Sequence, residues 1–156
     1  RLYGAPGLQA ERAGHQLAVD LRVLDLGPRL AAGLAEIEQQ LSRSNDHQID
    51  VVSIQAGVGG LAAATTSWAR IDRRNRSPRV IVVEPESAAC IMTALAAGEP
   101  IAVSASQGTV MSVLQCGTVS LTAFATLQAG VSCCLAIEDH WATAAASELR
   151  ACGRPG

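Results

Sequence analysis

The stretch from Val51 to Leu61 constrains the fold of this chain more than any other. An apolar β-type run ends at Gln55, glycines follow at positions 57, 59 and 60, and an alanine-rich helical pattern begins straight afterwards. Glycine lets such a turn adopt positive φ, and it lets backbone N–H groups point at an anion in front of the helix. We therefore predict a phosphate cradle formed by the backbone of Gly57, Val58, Gly59, Gly60 and Leu61.

The rest of the chain alternates β runs with helical patterns. This alternation predicts an α/β fold, a Rossmann-like three-layer arrangement in which a parallel twisted sheet carries helices on both faces. We expect an irregular segment over residues 1–30, an α/β domain over 31–152 and a tail over 153–156. Strands are predicted within Leu17–Leu26 and at Ile49–Ile54, Arg79–Val83, Pro100–Val103 and Val131–Ile137. Helices are predicted at Leu30–Leu41, Gly60–Arg70, Ser87–Ala97 and Asp139–Ala151, the last capped by Asp139, and at Thr109–Leu127 in two pieces broken near Gly117.

Composition excludes several classes of function. The chain has 156 residues, 49% of them hydrophobic and only 17% charged, which fits one domain with a large interior. A net charge of −2 leaves no basic face for nucleic acid. The uncharged run Ile101–Ile137 is long enough for a membrane span, but its glycines, hydroxyl residues and changing periodicity favour a buried α/β core. We expect no membrane association and a cytoplasmic location.

The five cysteines are odd in number and form no C-x-x-C pair, so they are interpreted as reduced, buried thiols. Cys133 and Cys134 would face opposite sides of a strand, which argues against a shared metal site. The histidines are scattered. We therefore predict no metal site and no catalytic residue. The five cysteines are Cys90, Cys116, Cys133, Cys134 and Cys152.

Alternatives to the phosphate cradle remain open. The glycines could serve only a tight connection between strand and helix. No Gly-Lys-Ser/Thr follows, so the turn is not a Walker loop. The spacing Gly57-x-Gly59-x-x-Ala62, with Glu84 ending the next β run, leaves a nucleotide-binding module as a competing hypothesis. Glu84 could face a ligand crevice or belong to the cap of the helix that follows it. The arginines at 70, 73, 74, 76 and 79 are interpreted as a solvated helix end, with anion binding as the alternative.

Two segments together resemble a known family. Residues 55–62, Gln-Ala-Gly-Val-Gly-Gly-Leu-Ala, resemble the phosphate loop of the fold type II pyridoxal-phosphate enzymes, the tryptophan synthase β family. Residues 82–90, Val-Val-Glu-Pro-Glu-Ser-Ala-Ala-Cys, resemble the strand and helix that follow it there, most closely in the diaminopropionate ammonia-lyase branch. Residues 111–119 and the helix ending at Leu41 extend the likeness to roughly residues 30–150. The resemblance implies pyridoxal phosphate as cofactor and a small amino acid as substrate, with diaminopropionate converted to pyruvate and ammonia.

The departures from this family matter equally. All twelve basic residues are Arg, so the chain has no lysine for a Schiff base with the cofactor. Residues 112, 113, 118 and 119 depart from the family's Met-Ala-Gly-Leu-x-Cys-Gly-Glu-Pro motif. The resemblance therefore implies an incomplete domain of this class that binds the cofactor non-covalently at most and is catalytically incompetent alone. We also expect a homodimer or a missing complementary segment, with an assembly partner that supplies the lysine as a further hypothesis.

Overall fold

The computed structural model describes residues 2–4, 27–43, 49–70, 77–105 and 107–153. Its strands are β1 (Leu2–Gly4), β2 (Val51–Gln55), β3 (Arg79–Pro85) and β4 (Val131–Ile137). Its α-helices are α1 (Gly27–Arg43), α2 (Gly60–Arg70), α3 (Cys90–Ala97), α4 (Leu121–Gly130) and α5 (Asp139–Ala151), with 3₁₀ turns at Glu86–Ala88 and Ser112–Leu114.

The strands form one sheet in the order β1-β4-β3-β2. β2, β3 and β4 run parallel, and β1 pairs antiparallel with β4. Helical segments separate the parallel strands along the chain, as crossover connections require. The predicted α/β class with a parallel sheet is confirmed.

The core lies between the sheet and the helices α2, α3 and α4. Along β3 the side chains alternate, so that Val80 and Val82 are fully buried while Ile81 is only half-buried on the opposite face. Ile91 of α3 and Leu127 of α4 are fully buried in the same layer. Burying a side chain of this size contributes roughly 1.5–3 kcal/mol, so this layer fixes how the helices sit on the sheet.

Small residues allow α2 and α4 to pack closely. α2 begins with glycine and carries buried alanines at 62, 63 and 64. A Cβ at Gly130, the last residue of α4, would overlap the methyl group of the buried Thr66. At the other end of α4, the amide of Ser120 donates to the carbonyl of Val58 at 2.8 Å, which places the amino end of α4 beside the turn between β2 and α2.

Several elements agree with their sequence-based bounds. α2, β4 and α5 begin and end at the predicted residues, and β3 extends two residues beyond the predicted end at Val83. The helix predicted from Leu30 is longer and begins at Gly27. No helix among the described residues is long and apolar enough to cross a membrane. The strand predicted within Leu17–Leu26 lies outside the described residues.

Other predictions are corrected. Residues 101–105 form no strand; instead, the amide of Val103 donates to the carbonyl of Gly117 at 2.8 Å, which ties two loops together. Within the predicted helical region Thr109–Leu127, only one 3₁₀ turn precedes α4. In the segment expected to be irregular, β1 pairs with β4 and residues 27–30 belong to α1. Pairing between the two ends of the chain leaves no local pattern that could have predicted β1.

Candidate phosphate-binding site

The glycine turn lies at the carboxyl end of β2, beside the carboxyl end of β3. The amide of Ala56 donates to the carbonyl of Val83 at 3.0 Å and extends the ladder by one residue past Gln55. α2 begins at Gly60. The turn therefore occupies the edge of a parallel sheet at which α/β proteins bind their ligands.

Gly59 must be glycine for two independent reasons. Its φ is +97°, a left-handed conformation that favours glycine. A Cβ there would also lie 2.8 Å from Cδ1 of Leu127 and 3.2 Å from Cδ1 of Ile91, and both of those side chains are fully buried. The carbonyl of Gly59 accepts the amide of Ala63 at 2.8 Å, so Gly59 is the residue that caps α2.

The carbonyls of the turn point into the protein. The Gly57 carbonyl accepts the thiol of Cys90 at 3.5 Å, and the Val58 carbonyl accepts the amide of Ser120 at 2.8 Å. A Cβ at Gly57 would lie 2.9 Å from Sγ of Cys116. Cys90, Cys116 and Ser120 thus hold the back of the turn, a role that sequence reasoning missed because all three are distant from it in the chain.

The amides of the turn, unlike its carbonyls, have no hydrogen-bond partner among the described residues. Across the described parts of the chain, no carbonyl or side chain accepts a hydrogen bond from the N–H groups of residues 57–61. A Cβ at Gly60 would meet nothing within 4 Å, so space lies in front of the first turn of α2. Free amides at the positive end of a helix, with open space before them, fit a phosphate group. The predicted residues Gly57, Val58, Gly59, Gly60 and Leu61 are therefore brought together by the fold, and their role in binding stays a prediction.

Glu84 has a different place from the crevice position considered above. Its side chain is fully buried, its Oε1 accepts the amide of Ile91 at 2.8 Å, and its Oε2 accepts the amide of Met92 at 2.8 Å. Burial raises its pKa from 4.5 to about 7, against the lowering effect of these hydrogen bonds. Both oxygens serve the amino end of α3, so Glu84 is not available to bind the ribose of a nucleotide.

The described arginines of the basic cluster lie away from the turn. Arg79 opens β3 at its amino end, and Arg70 ends α2. The guanidinium of Arg70 donates to the carbonyl of Ala129 near the end of α4, which is where a cation stabilises a helix. Arg73, Arg74 and Arg76 lie outside the described residues.

The cysteines are all free, but they are not all buried. Cys90 and Cys134 are buried, and burial raises the pKa of each thiol to about 12. Cys116 and Cys133 are partly exposed, and Cys152 is exposed, because it follows a helix that has no buried residue. Within the described residues, no group of three potential metal ligands occurs.

The prediction that Asp139 caps the last helix is also corrected. It is the first residue of α5, its preceding residue is Glu138, and neither supplies a side-chain cap to the helix. The Asp139 carboxylate instead accepts the Thr109 hydroxyl at 2.5 Å and the Val110 amide at 3.0 Å, which lowers its pKa. It therefore fastens the loop before α4 to the end of β4.

Comparison with known proteins identifies the family. The family model described as "Pyridoxal-phosphate dependent enzyme" matches residues 26–154. This chain belongs to that family. The resemblance found in the sequence is thereby confirmed, and the glycine turn is placed in a family that uses a phosphate-bearing cofactor.

Two enzymes illustrate the relationship in sequence. The diaminopropionate ammonia-lyase of Salmonella typhimurium is 28% identical over 123 residues, which cover 78% of this chain and 30% of that enzyme. The biosynthetic L-threonine dehydratase of Mycobacterium leprae is 37% identical over 73 residues, which cover 47% of this chain and 17% of that enzyme. The chain thus spans less than a third of the length of these relatives.

Solved structures show the same fold. The processed form of threonine deaminase isoform 2 from Solanum lycopersicum superposes with a TM-score of 0.67 at 25% identity, covering 78% of this chain and 33% of that one. The diaminopropionate ammonia lyase of Escherichia coli superposes with a TM-score of 0.61 at 24% identity, covering 70% of this chain and 27% of that one. The sheet and its helices are therefore a portion of the architecture of these enzymes.

The residues of this chain fit the phosphate of pyridoxal phosphate, but they include no lysine to which the cofactor could be attached. The turn offers free amides for the phosphate, as described above. No lysine occurs anywhere in the 156 residues. These amides fit a phosphate ester, whereas the sequence contains no lysine amine for covalent attachment of the cofactor.

Proposed function

We propose that this chain binds pyridoxal phosphate non-covalently, through the backbone amides of residues 57–61, as the phosphate-binding portion of an ammonia-lyase that acts on diaminopropionate. The single observation that carries this proposal is the set of unpaired amides in front of α2 in a chain of this family. Hydrogen bonds to a charged group contribute roughly 1.5–3 kcal/mol each, which is enough for measurable binding without a covalent bond.

The choice of diaminopropionate rests on coverage. The similarity to the Salmonella ammonia-lyase extends over 78% of this chain, whereas the similarity to the threonine dehydratase covers 47%. When bound, pyridoxal phosphate supplies the electron sink for breaking bonds at the α-carbon of an amino acid. The protein residues of this chain would hold and orient the cofactor through its phosphate.

We further propose that the chain alone does not catalyse the elimination, since it has no lysine. A lysine-bearing segment or partner chain would have to complete the site. To test this, purified chain is incubated with pyridoxal phosphate and diaminopropionate, and pyruvate and ammonia are measured. Release well above that of a Gly59→Ala control would overturn the proposed incompetence.

Binding is tested with a matched pair of variants at Gly60, the first residue of α2. Gly60→Pro removes one amide donor, and proline is well tolerated at the first position of a helix. Gly60→Ala keeps the amide, and its methyl group meets nothing within 4 Å. We expect Gly60→Pro to weaken pyridoxal phosphate binding by roughly tenfold or more and Gly60→Ala to leave it nearly unchanged, measured by titration calorimetry. Equal affinities for the two variants would exclude the amide nest.

A dehydratase acting on a hydroxy amino acid is the second candidate, favoured by the 37% identity to the threonine dehydratase over 73 residues. Thermal unfolding in the presence of pyridoxal phosphate discriminates the two. A further rise in melting temperature with diaminopropionate and none with threonine supports the first candidate; the reverse supports the second. Protection by NAD or ATP but not by pyridoxal phosphate would replace both with a nucleotide-binding module.

A further inference from the structure

The amino end of α3 packs directly against the glycine turn, residues 57–61. The thiol of Cys90, the first residue of α3, donates to the carbonyl of Gly57 at 3.5 Å. The next residue, Ile91, has its Cδ1 3.2 Å from the point that a Cβ on Gly59 would occupy. Both side chains are fully buried. Because a close-packed interior leaves such contacts no room to shift, the position of α3 determines the shape of the turn.

The position of α3 depends in turn on Glu84. With eight residues, α3 is too short to be stable without tertiary contacts, and its N-cap residue makes no side-chain bond to its amides. Glu84 supplies the missing acceptors from β3: its Oε1 and Oε2 accept the amides of Ile91 and Met92 at 2.8 Å each. β3 lies between β2 and β4 in the sheet, so Glu84 fastens the amino end of α3 to an interior strand.

The burial of Glu84 makes this attachment rigid. An exposed cap exchanges its hydrogen bonds with water, whereas a buried acceptor has no such replacement and holds its donors strongly. Among the described residues, its partners all belong to the amino end of α3, with no arginine beside it. A buried carboxyl group without a cation costs free energy, and an exposed serine or aspartate cap would have satisfied α3 without that cost. Precise placement of α3 is what the buried arrangement adds.

We propose that Glu84 is a positioning residue for the proposed phosphate site. By fixing Cys90 and Ile91 it keeps the carbonyl of Gly57 turned inward, which leaves the amides of residues 57–61 facing outward. Glu84 itself touches no ligand in this arrangement, because both of its oxygens are occupied by α3. The inference rests on the proposed function where it concerns affinity for pyridoxal phosphate, but the shape of the turn can be measured without a ligand.

Affinity is tested by calorimetric titration with pyridoxal phosphate, under conditions in which circular dichroism shows each variant to be folded. We expect Glu84→Ala to weaken binding roughly tenfold or more and Glu84→Gln, which keeps one acceptor oxygen, to weaken it less. Val80→Ala is the matched control, because Val80 is equally buried in β3 but lies near its amino end, beside Trp68 and Ala69. It removes core packing and should leave the affinity unchanged. Unchanged affinity in Glu84→Ala, or an equal loss in Val80→Ala, would overturn the inference.

If Glu84→Ala does not fold, Glu84→Gln carries the measurement, since it keeps the volume of the side chain. A second pair of variants tests the last step, from α3 to the turn. Cys90→Ser keeps a donor for the Gly57 carbonyl, whereas Cys90→Ala removes it. We expect the alanine variant to bind pyridoxal phosphate about threefold or more weakly than the serine variant. Equal affinities of the two would contradict the route through Cys90 and overturn the inference.

Hydrogen exchange of the ligand-free chain separates this inference from the proposed function. The amides of Ala63 and Ser120 donate to the carbonyls of Gly59 and Val58, so their exchange rates report whether the turn keeps its shape. Relative to the amides that pair β3 with β4, we expect both to exchange about tenfold faster or more in Glu84→Gln and not in Val80→Ala. If the wild-type chain binds no pyridoxal phosphate, the proposed function fails, and these rates alone decide: faster exchange in Glu84→Gln supports the positioning role, and unchanged exchange overturns it.

Discussion

The turns that precede α2 and α3 differ in how they treat the unpaired amides at the start of each helix. β2 and β3 run parallel, end at the same edge of the sheet, and each leads toward a helix whose first amides lack helical partners. After β3, the buried carboxyl group of Glu84 accepts the amides of Ile91 and Met92. After β2, residues 57–61 contain no acidic side chain, and their amides remain unpaired in the described structure.

This difference separates a turn whose amides have an internal acceptor from the turn that we propose binds a ligand. At α3 the acceptor is internal, buried and fixed, so the turn is complete without a ligand. At α2 the carbonyls are held by Cys90 and Ser120 while the amides face open space, so they are free to bond to an anion from solution, as we propose. Backbone amides at the start of a helix thus support the fold in one place and remain available to a ligand in the other.

Removing the internal acceptor has the largest expected effect. Glu84→Ala leaves the buried amide of Ile91 and the partly buried amide of Met92 without a partner and opens a cavity, so we expect the free energy of unfolding to fall by about 4 kcal/mol. Urea denaturation followed by circular dichroism measures it. Glu84→Gln keeps one amide acceptor and the volume and should lose less than half as much; equal losses would mean that the hydrogen bonds to α3 do not matter.

The pH dependence of stability follows from the same residue. The pKa of Glu84 is about 7 in the folded state and 4.5 without burial, so the folded state retains its proton longer than the unfolded state does. The contribution of Glu84 to the free energy of unfolding is up to about 3 kcal/mol. This contribution is fully present below pH 4.5 and is lost as the pH rises through 7. Denaturant midpoints measured from pH 4.5 to 8 should decline accordingly. In Glu84→Gln this decline should be absent, and a wild-type profile that rises over the same interval would contradict the assignment.

Substitution by alanine should affect the stability of the protein very differently at Gly59 and at the adjacent Gly60. Gly59→Ala combines positive φ with contacts of 2.8 and 3.2 Å to buried side chains, so we expect a loss of about 2 kcal/mol. Gly60→Ala meets nothing within 4 Å and lies in the first turn of α2, so its stability should be equal or slightly higher. Thermal unfolding of the two variants side by side checks this. A similar loss in both would show that the packing described for Gly59 is not what demands glycine.

How much of this comparison could be predicted from sequence depends on whether the signal is local. The bounds of α2 follow from glycine and alanine within the segment itself, and the amides of residues 57–61 follow from the same short pattern. Residues 84–87 allowed both a cap and a crevice position, because the choice depends on Ile91 and Met92, seven and eight residues away. The thiols that contact Gly57 lie far along the chain: Cys90 begins α3, 33 residues downstream, and Cys116 lies in a loop 59 residues downstream. The local pattern around Gly57 therefore could not predict either contact.

An acidic residue introduced into the turn at residues 57–61 should make it resemble the turn before α3, in which Glu84 accepts the helix amides. Gly60→Asp places a carboxylate in the first turn of α2, where a Cβ has open space, and a negative charge at this end of a helix stabilises by roughly 0.5 kcal/mol. The same charge repels a phosphate and competes for its amides. We therefore expect a slightly higher melting temperature together with loss of pyridoxal phosphate binding, whereas Gly60→Ala retains binding. A variant that gains stability and still binds pyridoxal phosphate would show that the amides of α2 are not the phosphate site, and the contrast between the two turns would then concern stability alone.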